Sequence, residues 1–456
     1  IDLALSYKPE KAGWRIKKAL LLPVIPSSQE DIQTRRDTLT KAVTALIKQN
    51  LTVPDPALGV GITNFYLAYH GHNNRSLLQD IAKLYIAVSP QLTYQAKHCL
   101  SEHREHTGSK KVLRIGFLSA FLWDHTVGKH FRGIIEQFSR TKFEVIVIRP
   151  TGKKDKMAEI IDRSADKVVH LFGKLERDWK LIEDEELDIL FYLDIGMDPY
   201  TYFLSFARLA PVQAVTIGHA ETSGVPNIDY FLSSEVSELA EADDHYSEQL
   251  IKLSCLPTFY YRPEIPVKSY IHSDFNLPEG VRLYVYAHSL FKLHPGFDET
   301  LAKLLRRDPE GRLIIVEDSR GGHWTKLVVE RFHRSFPDVA GNVISIPKLP
   351  FEKFVGLLTL ADALLDNPFI SGTSAGLISL GVTAPIIAWP GKLCSGRCVT
   401  ACYKQMGLND LIATDEESYL ELTLRLAQDA DFKRRMQADI EANAHKLYER
   451  HEVVRE

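Results

Sequence analysis

Apolar side chains recur at helical spacing through the first hundred residues, at Leu39, Val43, Leu46 and Ile47 and again at Leu77, Leu78, Ile81, Leu84 and Tyr85. This period predicts amphipathic helices. A polar, basic stretch at 101–111 interrupts it and reads as a linker. From Val112 the pattern changes to short apolar runs alternating with helical spacing. Runs at 112–119 and 143–149 flank a helix at 129–139, and Pro150 stops the second run, which makes a βαβ unit. Further strands are predicted at 167–171, 189–193 and 212–217, and the unit closes near Pro266. The theme then restarts, with strands at 282–287, 312–317, 342–346, 363–366 and 385–389 and helices at 298–307, 326–336, 351–360 and 376–382. A helical tail follows at 416–450. The expected fold is α/β, with a helical N-terminal segment (1–108), a Rossmann-like lobe (109–266) and a second such lobe with C-terminal helices (267–456). Two parallel sheets in tandem predict a cleft between lobes, because open α/β sheets bind ligands at the carboxyl ends of their strands.

Composition narrows the function. The chain has 456 residues, and 55 Lys+Arg against 59 Asp+Glu leave a net charge of −4. Nothing in that balance suggests nucleic acid as a partner. The longest apolar runs, 19–25 and 384–390, are too short to span a bilayer, and no secretory leader opens the chain, so a cytoplasmic protein is expected. Five cysteines suit a reducing compartment. Cys394, Cys398 and Cys402 share one helical face, which suits either a soft metal or buried thiols. With no C-x-x-C pair and no nearby histidine, buried thiols are expected.

Three loops at predicted strand ends carry candidate chemistry. In 119–130, His125 and Lys129 would point into the cleft, where a neutral imidazole can accept a proton; alternatively His125 caps the following helix. In 289–295, Lys292 would meet a phosphate as a point charge, unless it is merely solvated. In 366–376, Gly372, Thr373 and Ser374 open a helix whose amides and dipole make an anion site. Lys292 and this loop together suggest a diphosphate held without a metal. The same residues match a G-x-S-x-G nucleophile elbow, with Asp410 and His445 following. That elbow needs its serine directly after a strand, and 367–371 intervene. No P-loop is present, and Gly59 to Asn64 lacks the last glycine of a dinucleotide fingerprint. The acidic runs 183–186 and 243–244 read as solvated surface.

At these loops the sequence resembles the O-GlcNAc-transferase-like glycosyltransferases, which include bacterial cytoplasmic enzymes that glucosylate adhesins on asparagine. The resemblance rests on Arg114 to Ser119 with His125, on Leu209 to Thr216 with Gly218, His219, Thr222, Ser223 and Gly224, and on Asp229-Tyr230. It continues in Phe291-Lys292-Leu293, Leu365 to Pro368, and Pro390-Gly391 with Gly396-Arg397. Asn64 to Gly71 is similar to the segment that joins tetratricopeptide repeats to the catalytic lobes in many bacterial members.

The resemblance implies a GT-B architecture and an inverting, metal-independent transfer of a hexose from a UDP-sugar to a Ser/Thr or Asn side chain of a protein or peptide. It assigns catalysis to His125 and Lys292, and donor binding to Ser289, Lys292, Leu349, Gly372, Thr373, Ser374 and Arg397. His219, Thr222 and Ser223 would lie on the acceptor side. No cofactor is implied beyond the donor. The sequence departs from the family at Ile378, where members carry an acid for the ribose hydroxyls, and at Phe354, where animal members have a histidine. Ile217 and Ala220 replace an aromatic residue and a proline. These departures leave a second expectation, an inactive relative that binds a protein partner such as an active glycosyltransferase. A sugar-nucleotide epimerase or hydrolase is a third, and needs acids deep in the cleft.

Overall fold

The protein is described by a computed structural model at residues 1–100, 112–264, 268–317 and 321–456. The expected linker at 101–111 and the boundary at Pro266 lie outside these residues.

The N-terminal segment is helical: α1 (Asp2–Tyr7), α2 (Ala12–Leu20), α3 (Gln29–Ile47), α4 (Pro56–Gly59), a 3-10 turn (Phe65–His70) and α5 (Arg75–Val88). Ser28 starts α3 by accepting a hydrogen bond from the Asp31 amide on its Oγ at 3.0 Å. The periodic positions Leu39, Val43, Leu46, Leu77, Ile81, Leu84 and Tyr85 are all buried. They share one hydrophobic core with Leu118, Ile146, Leu190 and Tyr192 of the first sheet. The helical preface thus covers one face of that sheet instead of standing apart from it.

The first sheet contains β1 (Leu113–Leu118), β2 (Phe143–Arg149), β3 (Lys167–His170), β4 (Ile189–Tyr192), β5 (Val212–Thr216), β6 (Tyr230–Ser234) and β7 (Gln249–Leu253). All strands are parallel, in the order β3-β2-β1-β4-β5-β6-β7. Its crossover helices are α6 (Thr126–Gln137), α7 (Lys156–Ser164), α8 (Leu175–Glu183) and α9 (Pro199–Leu204). Strands β6 and β7 escape the apolar-run criterion for identifiable reasons. β6 ends on buried Ser233 and Ser234, and the edge strand β7 keeps no fully buried residue.

The second sheet is smaller: β8 (Arg282–Tyr286), β9 (Gly311–Val316), β10 (Val343–Ile346), β11 (Ala363–Leu365) and β12 (Ile386–Ile387). These strands run parallel in the order β10-β9-β8-β11-β12. Helices α10 (Asp298–Arg307), α11 (His323–Ser335), α12 (Phe351–Leu360) and α13 (Thr373–Gly381) cross over, and α14 (Cys398–Met406), α15 (Glu416–Gln428), α16 (Ala430–Asn443) and α17 (His451–Arg455) follow. β12 is shorter than the apolar run 385–389. Ala388 leaves the ladder, donating to the Leu411 carbonyl and accepting from the Ala413 amide instead. α13 begins three residues before its expected start at 376, which puts Thr373 and Ser374 inside its first turn.

Both ends of the chain help to join the lobes. α17 packs back on the first lobe: Val453 enters its core, His451 meets Phe259 edge to face at 5.2 Å, and Glu456 accepts from the Ser254 amide at 3.0 Å. The N-terminal segment reaches the second lobe, where buried Arg331, paired with Asp298 at 2.9 Å, donates to the Pro26 carbonyl at 3.1 Å. The acidic run 183–186 is not all solvated, since Glu185 is buried against Arg114 and Lys167. Among the described residues, no helix is long and apolar enough to cross a membrane.

Candidate active site

In each sheet the strand order reverses beside the first strand: β1 lies between β2 and β4, and β8 between β9 and β11. Such switch points open a crevice at the carboxyl ends of the strands. Loops following β1, β4 and β5 meet loops following β8 and β11 around a single cavity of about 580 Å³. It is lined by His125, His130, His219, Ser289, Lys292, Gly372, Thr373, Ser374 and Ile378, among others. Phe65, Tyr66 and Tyr69 of the 3-10 turn also line it, so the helical N-terminal segment contributes to the site. A second chamber of about 450 Å³, holding Leu349, Phe351 and Glu317, shares Ala287, His288, Ser289, Phe291, Trp324 and Phe354 with the first.

The loop between β11 and α13 is shaped by two adjacent side chains. Buried Asp366 accepts from Ser371 Oγ at 2.5 Å and from the Gly372 amide at 3.2 Å. Asn367 Oδ1 accepts from the amides of Phe369 and Ile370, while its Nδ2 donates to Tyr286 Oη and the carbonyls of Lys292 and Ile370. Gly372 is required, because a Cβ there would run into the His288 ring. No side chain caps α13, so its first-turn amides are left for a ligand. Lys292 stands beside them, donating to the Ser371 carbonyl at 3.4 Å. Burial lowers its pKa. No carboxylate lines the larger cavity among the described residues. A desolvated cation beside a helix N-terminus forms an anion site, with the buried Asp366 carboxylate already engaged by Ser371 and the Gly372 amide.

Three neutral histidines border the cavity on the first lobe. His125 caps α6, and its Nδ1 accepts from the Val127 amide at 3.3 Å. Both sequence readings of His125 thus meet in one residue, which caps the helix and also lines the cavity. A neutral ring that accepts on Nδ1 carries its proton on Nε2. Burial, and next Lys129, lower its pKa to about 4. Burial likewise takes His130 to about 3 and His219 to about 4. His219 stacks on Phe65 with centroids 5.0 Å apart. His130 was not singled out by the sequence reading; its Nε2 lies 3.1 Å from Ser374 Oγ, across the cleft.

Other expected site residues sit elsewhere. Arg397 does not line either chamber. It donates to the Ser237 carbonyl at 2.7 Å and the Gly391 carbonyl at 3.0 Å, and so ties the lobes together. Thr222 and Ser223 are buried outside the cavity and spend their hydroxyls on Glu248. The hydrolase elbow does not assemble, since Asp410 and His445 are exposed, away from Ser374. Cys394, Cys398 and Cys402 are buried free thiols, raised in pKa by burial. The described residues hold no cluster of three or more metal-ligating side chains.

Comparison with known proteins places this geometry. Residues 262–452 match Glycosyl transferase family 41. The chain is 22% identical over 337 residues to a probable UDP-N-acetylglucosamine–peptide N-acetylglucosaminyltransferase, SPINDLY, of Arabidopsis thaliana, covering 70% of this chain and 35% of that protein. It is 28% identical over 262 residues to a UDP-glucose:protein N-beta-glucosyltransferase of Actinobacillus pleuropneumoniae, covering 56% of this chain and 40% of that one. The chain spans little more than a third of the length of these curated relatives. In fold it is similar to the O-GlcNAc transferase of Thermobaculum terrenum, with a TM-score of 0.70 at 18% identity over 97% of this chain and 90% of that one. Two parallel sheets facing across a cleft are the GT-B arrangement, and in sequence the chain is similar to the O-GlcNAc-transferase-like glycosyltransferases, with the match to Glycosyl transferase family 41 confined to its C-terminal lobe.

Proposed function

We propose that the protein is an inverting glycosyltransferase that moves a hexose from a UDP-sugar to a protein side chain. The observation that carries this reading is the convergence of Lys292 with the uncapped N-terminus of α13 in a cavity lined by no carboxylate among the described residues. Relatives named for UDP-glucose and UDP-N-acetylglucosamine transfer support it. When the acceptor oxygen or nitrogen attacks the anomeric carbon, the bond to the diphosphate breaks and negative charge grows on the departing UDP. Lys292 and the amides of Thr373 and Ser374 stabilise that charge in a preorganised site. The lining side chains then need no cation of their own beyond Lys292.

On the acceptor side, His125 presents Nε2–H and orients the acceptor as a hydrogen-bond donor rather than as its base. His219, also neutral, stands nearer the preface and receives or relays the acceptor's proton. A ring with a pKa of about 4 is a weak base. Proton loss from the acceptor therefore follows extensive cleavage of the sugar–phosphate bond.

A second reading, a member that binds a protein without transferring sugar, is favoured by Ile378 and Phe354, two apolar side chains in the cavity wall. Calorimetric titration with UDP, UDP-glucose and UDP-N-acetylglucosamine tests the two. Micromolar binding that is lost in Lys292→Ala supports transfer, and no binding of any donor leaves the second reading.

A further inference from the structure

The smaller chamber continues the cavity away from the anion site and is walled mainly by Leu290, Phe291, Val316, Trp324, Leu349 and Phe354. A planar base would stack there, but a ribose carries two hydroxyls that need partners on leaving water. α13 offers none. Past Ser374 it presents Ala375 and Ile378 to the cavity.

The charged side chains in the smaller chamber are Glu317 and Lys348. Lys348 is exposed, whereas Glu317 is half-buried and immediately follows β9. Its backbone amide donates to the Ile346 carbonyl, and its carboxylate accepts from Ser345 Oγ at 3.5 Å, which leaves most of the carboxylate's acceptor capacity unused. β9 is the second strand of its lobe, and β8, the first, is followed by Lys292. In dinucleotide-binding α/β lobes an acid after the second strand meets the ribose while the phosphates lie at the helix after the first strand; here the acid keeps that place, and the phosphate site is instead the helix after β11. With strands about 4.8 Å apart, the ends of β9 and β11 are separated by roughly 10 Å, within the span of a nucleoside diphosphate.

Resting on the donor reading above, we infer that Glu317 is the ribose-binding acid of this protein and sets its preference for a ribonucleotide donor. The carboxylate accepts from the 2′ and 3′ hydroxyls, and the aromatic walls hold the base between them.

Titration of the full chain with UDP and with 2′-deoxy-UDP tests this, on the parent and on Glu317→Ala and Glu317→Gln. The parent should bind UDP roughly tenfold more tightly than 2′-deoxy-UDP. Glu317→Ala should bind the two equally, below the parent's 2′-deoxy level because the 3′ contact is lost as well, and Glu317→Gln should retain part of the preference. If Glu317→Ala does not fold, a Glu317→Gln variant with undiminished preference for UDP overturns the inference. A parent that binds UDP without discriminating, or a Glu317→Ala that still discriminates, overturns it while leaving the donor site standing. A parent that binds neither nucleotide overturns the donor reading and this inference together.

Discussion

His130 Nε2 on α6 and Ser374 Oγ on α13 lie 3.1 Å apart, so the two lobes touch at the helix terminus that would hold the donor's phosphates. His130 is buried, and loss of its partner leaves a polar atom without compensation. Ser374→Ala should therefore destabilise the protein by about 1–2 kcal/mol in urea unfolding. It should also weaken UDP severalfold, and a variant with unchanged stability would show that the contact is not formed in solution.

Lys292→Ala should separate binding from stability. The lysine is desolvated and pairs with no carboxylate among the described residues, so its removal should leave the midpoint of urea unfolding unchanged or raised. Donor turnover should fall by roughly a hundredfold or more, in line with loss of one preorganised charge stabiliser. A large drop in stability would contradict the assigned role.

His125 stays neutral across the physiological range, because its pKa is about 4. The acid limb of kcat against pH should show no inflection near 6.5 from this residue. His125→Gln keeps a side-chain donor and should retain more activity than His125→Ala, and equal loss in both would argue against donation from Nε2.

Glu221 carries a pH signature in the fold. Burial raises its pKa to about 7, against the opposing pull of Asn74 and Arg36. A carboxyl whose folded pKa lies above its unfolded value holds its proton more tightly when folded. Its stabilisation is complete below the ordinary value of 4.5 and is lost as pH rises through about 7. Between those limits Glu221→Gln should flatten the dependence of unfolding free energy on pH, by up to about 1.4 kcal/mol per pH unit. A profile identical to the parent's would mean that Glu221 is charged in the folded protein.

Much of the frame was legible because parallel strands buried on both faces are short apolar runs and their crossover helices carry helical spacing: β2, α10 and α12 fall on the ranges their patterns predict. What escaped is local polar chemistry. Ser233 and Ser234 hide a strand, and Ala388 trades its ladder for a bridge to Ile412. Within the site, His125 and Lys292 stood out by their place after first strands, whereas His130 looks like any helical histidine until α13 is brought against it. Arg397 shows the opposite error. A motif match gives residue identity, but only packing shows that its guanidinium faces two carbonyls instead of the cavity.

The return of α17 to the first lobe has a mechanical meaning. The chain passes between the lobes once ahead of β8 and again before α17, and the Arg397 guanidinium bonds carbonyls of both lobes. A lobe suspended from two covalent pins cannot twist freely about either. Turning one lobe against the other has to keep both crossings in place, which narrows the motions open to the cleft.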